Sequence, residues 1–182
     1  MNPRKRTNPG IPAVPDHADV GIRMVTTREA TIADAALLMR MIVELAEFDQ
    51  ELDQVVTTEA DIARDGFGRN PQFRALIGEW CGVPAGFAIF FNYYSTWKGT
   101  GLYLEDLFVR PEFRSRGIGS ALLAHVARVA EQEARGFIRW TVLNWNQAAI
   151  DMYKSLGAHF LEDWQIVLLA GEGLRKLAEK DS

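Results

Sequence analysis

Residues 102–120 read Leu-Tyr-Leu-Glu-Asp-Leu-Phe-Val-Arg-Pro-Glu-Phe-Arg-Ser-Arg-Gly-Ile-Gly-Ser, and no other stretch constrains the fold as much. Leu102 to Val109 is dense in β-favouring side chains and stops before Pro111, which cannot continue a ladder, so it predicts a strand. Ile118, Ala121, Leu122, Val126 and Val129 then recur at helical spacing, predicting a helix to about Arg135 with Gly136 as its cap. Between the two, Gly117 and Gly119 remove side chains where the backbone must turn and leave the amides at the helix start uncovered. Bare N–H groups and the positive end of a helix dipole converge there, with Arg114 and Arg116 adding charge, so the loop reads as a cradle for a diphosphate.

What the loop lacks narrows the choice of diphosphate. A mononucleotide loop needs a Lys after its last glycine, and Gly119 is followed by Ser120; a dinucleotide fingerprint needs a third glycine where Leu122 stands. What remains is Arg-x-x-Gly-x-Gly, formed by Arg114, Gly117 and Gly119.

The surrounding chain supplies an α/β context. Residues 1–23 hold four of the seven prolines, a basic patch Arg4-Lys5-Arg6 and almost no apolar periodicity, and are expected to form a disordered tail before a domain at 24–182. No apolar segment follows the basic patch as a signal peptide requires. Val25 to Arg28 predicts a strand, and Thr31-Ile32-Ala33-Asp34 a capping box ahead of an amphipathic helix through Leu37, Leu38, Met41, Ile42, Leu45 and Phe48. Thr58-Glu59-Ala60-Asp61 opens a shorter helix ending near Gly66. Phe73 to Trp80 and Gly86 to Tyr94 form a hairpin around Cys81-Gly82-Val83-Pro84. Phe137 to Leu143 reads as a buried strand, Asn146 to Leu156 as a helix closed by Gly157, and Trp164 to Leu169 as a final strand. Strands alternating with covering helices make one layered α/β domain.

Composition excludes several functions. A net charge of −4 argues against nucleic acid as the main partner, and no apolar run approaches the ~18 residues that span a bilayer. The single Cys81 forbids an internal disulfide and suits a reducing interior, so the cytoplasm is expected. His17, His125 and His159 are scattered, fit no metal pattern and read as surface or incidental residues, so no metal is expected.

The Arg-x-x-Gly-x-Gly loop at the head of a central helix resembles that of the Gcn5-related N-acetyltransferase superfamily. Tyr103-Leu104-Glu105-Asp106-Leu107-Phe108-Val109, Trp145-Asn146-Gln147-Ala148-Ala149, Met152-Tyr153-Lys154-Ser155-Leu156-Gly157-Ala158 and Asp65-Gly66-Phe67-Gly68 are similar to its diamine branch, the spermidine/spermine and thialysine enzymes. The similarity runs from about Met24 to about Lys176. It implies an acyl-CoA N-acyltransferase fold, with a mixed, mostly antiparallel sheet of six to seven strands flanked by helices. It also implies a homodimer that uses acetyl-CoA as co-substrate. Leu107, Phe108, Val109, Arg114, Ser115, Arg116, Gly117, Ile118, Gly119, Ser120 and Asn146 would contact the donor, with backbone amides at 107–109 facing the developing oxyanion.

Acyl transfer to an amine also sets acid–base demands. An alkylamine of pKa near ~10.4 is less than ~0.1% neutral at pH 7, so a base or water relay must serve it. Glu105 and Asp106 are strand neighbours expected to face opposite ways, so only one faces the site. The resemblance assigns Glu105 as amine ligand and water-relayed base, and Asp106 reads as a structural acceptor. Tyr153, two helical turns beyond Asn146, is the expected proton donor to the departing thiolate. Phe48 and Asp49 match the aromatic–acidic pair that contacts substrate in the resembled enzymes, and Glu162 with Trp164 their C-terminal pair, though Asp163 could replace Glu162.

The acceptor is expected to be a small cationic amine: a diamine, a polyamine or a thialysine-like amino acid. Ser95-Thr96-Trp97-Lys98-Gly99 lacks the Asp-Pro of the spermidine/spermine type and favours the smaller acceptors. The competing readings are acetylation of a protein lysine or N-terminus, which needs an open groove, and a non-catalytic CoA-binding sensor, which would need neither Glu105 nor Tyr153.

Overall fold

The structure is a computed structural model, and it describes residues 24–180; the tail expected over 1–23 lies outside them. The chain divides into two compact units between Trp140 and Thr141.

The first unit is a five-stranded sheet in the order β1-β2-β3-β4-β5. Its strands are β1 (Val25–Glu29), β2 (Arg74–Trp80), β3 (Val83–Ser95), β4 (Gly99–Val109) and β5 (Ile138–Arg139). The first three ladders are antiparallel, and β5 joins β4 in parallel. Helices α1 (Ala35–Asp49) and α2 (Glu59–Phe67) cover one face, where Leu38, Met41 and Ile62 pack against Ala75, Ile77, Phe87, Ile89 and Phe108. α3 (Ile118–Gln132) packs on the sheet through Ile118, Leu122 and Val126, all buried. A side chain at Gly78 would sit 2.8 Å from Ile118 Cγ2, so this glycine lets helix and sheet approach closely.

Both capping boxes form, at Thr31/Asp34 and Thr58/Asp61; the first opens a short 3-10 turn, Ile32–Asp34, that leads into α1. The β2–β3 hairpin turns on Cys81 and Gly82, with φ of 49° and 76°, the left-handed pair of a tight hairpin turn.

Several expectations are corrected. The sheet has five strands rather than six to seven. The strand expected over 137–143 reduces to Ile138–Arg139, because the β4–β5 ladder holds only Leu102↔Ile138 and Tyr103↔Arg139. Trp164 to Leu169 belongs to no ladder; Ile166, Val167 and Leu168 are all more than three-quarters exposed, so its β-favouring side chains have no sheet face to pack on within the chain. α3 ends at Gln132, and the left-handed residue that closes it is Ala134, φ 52°, with Arg135 N donating to Ala130 O at 2.7 Å; Gly136 lies beyond the cap. His125 is not incidental: its Nδ1 lies 2.9 Å from Thr27 Oγ1, joining α3 to β1.

The second unit holds α4 (Gln147–Ser155) and α5 (Gly171–Ala178). Asn146 Oδ1 caps α4 by accepting from Ala149 N at 3.3 Å, and Gly157, φ 80°, ends it. α5 had no counterpart in the sequence reading; its Lys176 and Glu172 pair at 2.7 Å one turn apart. No helix among the described residues is long and apolar enough to cross a membrane.

Candidate active site

The cradle forms at the start of α3. Gly117 is the N-cap in the left-handed region, φ 81°, and Ser115 shares that region at 59°. No side chain caps the helix. Its first intrahelical bond is Ala121 N to Gly117 O at 2.9 Å, so the amides of Ile118, Gly119 and Ser120 have no partner within the helix. A Cβ at Gly117 would meet nothing within 4 Å, so the space beside the N-cap is open. Uncovered first-turn amides beside a left-handed turn are the donor set a diphosphate requires, and these residues fit the pyrophosphate of a CoA thioester.

The two arginines flank the cradle. Arg114 Nε donates to Val109 O at 3.0 Å and its guanidinium lies 4.3 Å from the Phe48 ring centroid; Arg116 lies 4.8 Å from that of Trp80. They hold the loop against aromatic walls. Behind the loop, Arg110 donates Nε and Nη2 to Glu44 at 2.7 and 2.8 Å and Nη1 to Pro84 O at 3.0 Å. This bidentate pair locks the end of β4 to α1 and was not singled out from the sequence.

β4 is irregular where the chemistry is expected. Ile89 pairs with Asp106 and Phe90 with Leu104, so Glu105 is an extra residue on the β4 side of a bulge. The bulge interrupts the regular pleat at Glu105. Asp106 shares the face of Ile89 and Phe108, which α1 covers, while Glu105 is exposed at the bulge. On that face, removal from water pushes the Asp106 carboxyl up to about 7, with the charges of Glu105 and then Asp49 adding to the shift. Burial and the charge of Glu51 likewise raise Asp49, the last residue of α1. These carboxylates, Asp49, Glu105 and Asp106, thus share one electrostatic neighbourhood. Asp106 was read from the sequence as a structural acceptor; no sequence pattern announces the bulge beside it or the raised pKa of its carboxyl.

Past Tyr103 and Arg139 the β4–β5 ladder stops, so residues 107–109 lie beyond the paired part of that edge. Phe108 is buried, and Leu107 and Val109 are partly so. Phe48 packs against the core beneath Arg114.

In the second unit, Tyr153 is buried in α4, and burial raises its hydroxyl pKa, keeping the phenol protonated at neutral pH. Asn146 caps the same helix. Glu162 and Asp163 form an exposed turn ahead of Trp164, whose N donates to Leu161 O at 3.2 Å. Among the described residues no group of three or more His, Cys, Asp or Glu is arranged to hold a metal ion.

Residues 38–158 match the acetyltransferase (GNAT) family. A thialysine N-epsilon-acetyltransferase of Sus scrofa is 41% identical over 167 residues, covering 86% of this chain and 98% of that protein. The chain belongs to the GNAT acetyltransferase family. It is an N-acetyltransferase, and acetyltransferases of this family use acetyl-CoA as the acetyl donor. A thialysine N-epsilon-acetyltransferase of Caenorhabditis elegans is 35% identical, covering 80% of this chain and 92% of that protein. Among solved structures, an integron cassette protein from the mobile metagenome of V. cholerae superposes with a TM-score of 0.71 at 25% identity, covering 86% of this chain and 98% of that one. The acetyltransferase shares its fold with an aminoglycoside acetyltransferase from an uncultured soil metagenome, at a TM-score of 0.65 and 12% identity.

Proposed function

We propose that this acetyltransferase transfers an acetyl group from acetyl-CoA to the primary amine of a small cationic acceptor, of the thialysine-like or diamine class. The observation that carries this is the placement of Asp106 on the α1-covered face of β4, with Glu105 beside it at the bulge and the charge of Asp49 reaching it. Such a site attracts an ammonium and can accept its proton. The thialysine N-epsilon-acetyltransferases at about 40% identity support the acceptor class.

The donor supplies a thioester carbon. The amides of Ile118, Gly119 and Ser120 bind its diphosphate, and Arg114, Ser115 and Arg116 shape the loop around them. Glu105, at the bulge, binds the ammonium and relays its proton through water, with Asp49 contributing charge. Asp106 takes the proton as the amine nitrogen attacks. Of the backbone amides at Leu107, Phe108 and Val109, that of Phe108 turns toward β3, and those of Leu107 and Val109 face the carbonyl oxygen as it gains charge, which the early end of the β4–β5 ladder favours. As the carbon–sulfur bond breaks, Tyr153, whose phenol is protonated at neutral pH, gives its proton to the thiolate. Asn146 borders the donor; Phe48, Glu162 and Trp164 border the acceptor.

Residues 24–182 act as one acetyltransferase domain, a reading supported by the family match across the boundary at Trp140. The protein works as a homodimer in the cytoplasm, supported by the exposed apolar side chains Ile166, Val167 and Leu168 and by the lone Cys81.

A thiol-release assay over a panel of small amines, with a lysine-bearing peptide as comparison, tests the reading. The expected outcome is turnover with the small amines, by a protein that light scattering reports at about twice 20.4 kDa. Turnover confined to the peptide, or CoA binding without turnover, contradicts the acceptor class; a fully active monomer contradicts the dimer.

A further inference from the structure

Beside the carboxylates, the same face of the sheet carries an aromatic floor that ends at a cation. Ile89, Phe91 and Tyr93 alternate along β3 and so share the face of Asp106, with Phe91 opposite Tyr103 and Tyr93 opposite Gly101. Phe91 stacks on Tyr103 at 5.3 Å, Tyr103 meets Tyr93 at 5.9 Å, and Tyr93 meets Phe137 edge-on at 5.9 Å. Arg139, opposite Tyr103 in the parallel ladder, sits at the end of this floor; its Nη1 donates to Tyr93 Oη at 3.1 Å and its guanidinium lies 5.9 Å from the Tyr93 ring centroid.

Arg139 is partly buried, and among the described residues no carboxylate lies within 4.0 Å of it. Other arginines of the first unit do have such partners: Arg28 pairs with Asp34 and Glu79, Arg74 and Arg135 with Glu133, and Arg110 with Glu44. A guanidinium drawn out of water with only a phenol hydroxyl as polar partner retains donors that suit a planar anion. The Cα atoms of Asp106 and Arg139 are about 11 Å apart, from three residues along the strand and one step across it at ~3.3 and ~4.8 Å each. Six single bonds in extended form advance about 7 Å, since three backbone bonds advance at most about 3.6 Å. A molecule with a side-chain amine and an α-carboxylate at lysine-like separation is of the same size range as the separation of these two positions on one sheet face.

We infer that Arg139 reads the carboxylate of the acceptor, so that the substrate is an amino acid bearing a side-chain amine rather than a plain diamine or polyamine. The inference rests on the proposed acetylation of a small amine at Asp106 and Glu105. Tyr93 is a positioning residue that holds the guanidinium over the floor, and Tyr103 and Phe91 support the acceptor's methylene chain.

The test compares lysine with cadaverine, which differs only in lacking the carboxylate, in the wild type and in Arg139→Gln, by thiol release. The ratio of kcat/KM for lysine over cadaverine is expected to exceed one in the wild type and to fall about 10- to 100-fold in the variant, the size of a lost charge-assisted pair. Arg139→Lys keeps the charge without the fork, so a smaller fall in the ratio is expected, and it carries the comparison if the Gln variant does not fold. A wild type that prefers cadaverine, or a ratio unchanged by both substitutions, overturns the assignment of Arg139 while leaving amine acetylation intact. No thiol release with any amine overturns both readings.

Discussion

Asp34 shows how much one carboxylate can organise. It accepts from Arg28 Nη1 and Nη2 at 2.8 Å each and from Thr31 N at 2.8 Å, so it closes the capping box and ties the entry of α1 to β1. The hydrogen bond from Arg28 comes first among the causes that hold its carboxyl well below the usual carboxylate range. A depressed pKa stabilises the fold while the group is ionised, so this contribution is complete above the unfolded value near ~3.9 and fades as the pH falls through the lower folded value. Asp34→Ala is expected to cost about 2 kcal/mol at pH 7, held to that size because Arg28 is 41% exposed and regains water. Urea denaturation checks this; a loss under about 0.5 kcal/mol would mean the network adds nothing to stability. The Thr31/Asp34 box was legible because capping depends on residue type at fixed spacing. Asp106 was not, because its role depends on a bulge and on carboxylates from the end of α1 and from its own strand.

Among the elements, those fixed by local chemistry matched their sequence signals. The glycine loop opens α3, Asn146 caps α4, and Cys81-Gly82 turns the hairpin. Those decided by long-range pairing did not, since the extents of β5 and of the stretch from Trp164 depend on partners distant in sequence. The cradle gives an element-scale test in Gly117→Ala. At φ 81° an alanine is strained, and its Cβ would stand where an anion approaches the first-turn amides. Strain of about 1 kcal/mol should lower Tm by about 2–4 °C. The affinity for CoA, measured by calorimetry, is expected to fall at least about tenfold, the loss of one charge-assisted hydrogen bond. Unchanged affinity would remove the loop from donor binding.

At the scale of the whole molecule, one sheet face carries the carboxylates on which the proposed acetyl transfer to an amine rests. α1 shields Ile89 and Phe108, Asp106 lies on that covered face beside the β4 bulge, and the end of α1 brings Asp49 into its field. The family and the donor were legible from motifs spread along the chain; the bulge at Glu105 was not, because it is set by the pairing of β4 with β3 rather than by local residue type. The central claim is that Asp106 takes the acceptor's proton, and the most direct test is the pH dependence of kcat/KM, from about 6 to 10, for the wild type and Asp106→Asn. A base works only when ionised, so the wild-type rate should rise through an inflection near pH 7 as Asp106 loses its proton, before the further rise that comes from free amine. Asp106→Asn is expected to lose that inflection and to lower kcat/KM by about 10²–10⁴. A wild-type profile without an inflection near 7, or a variant that keeps wild-type kcat/KM across the range, would contradict the claim.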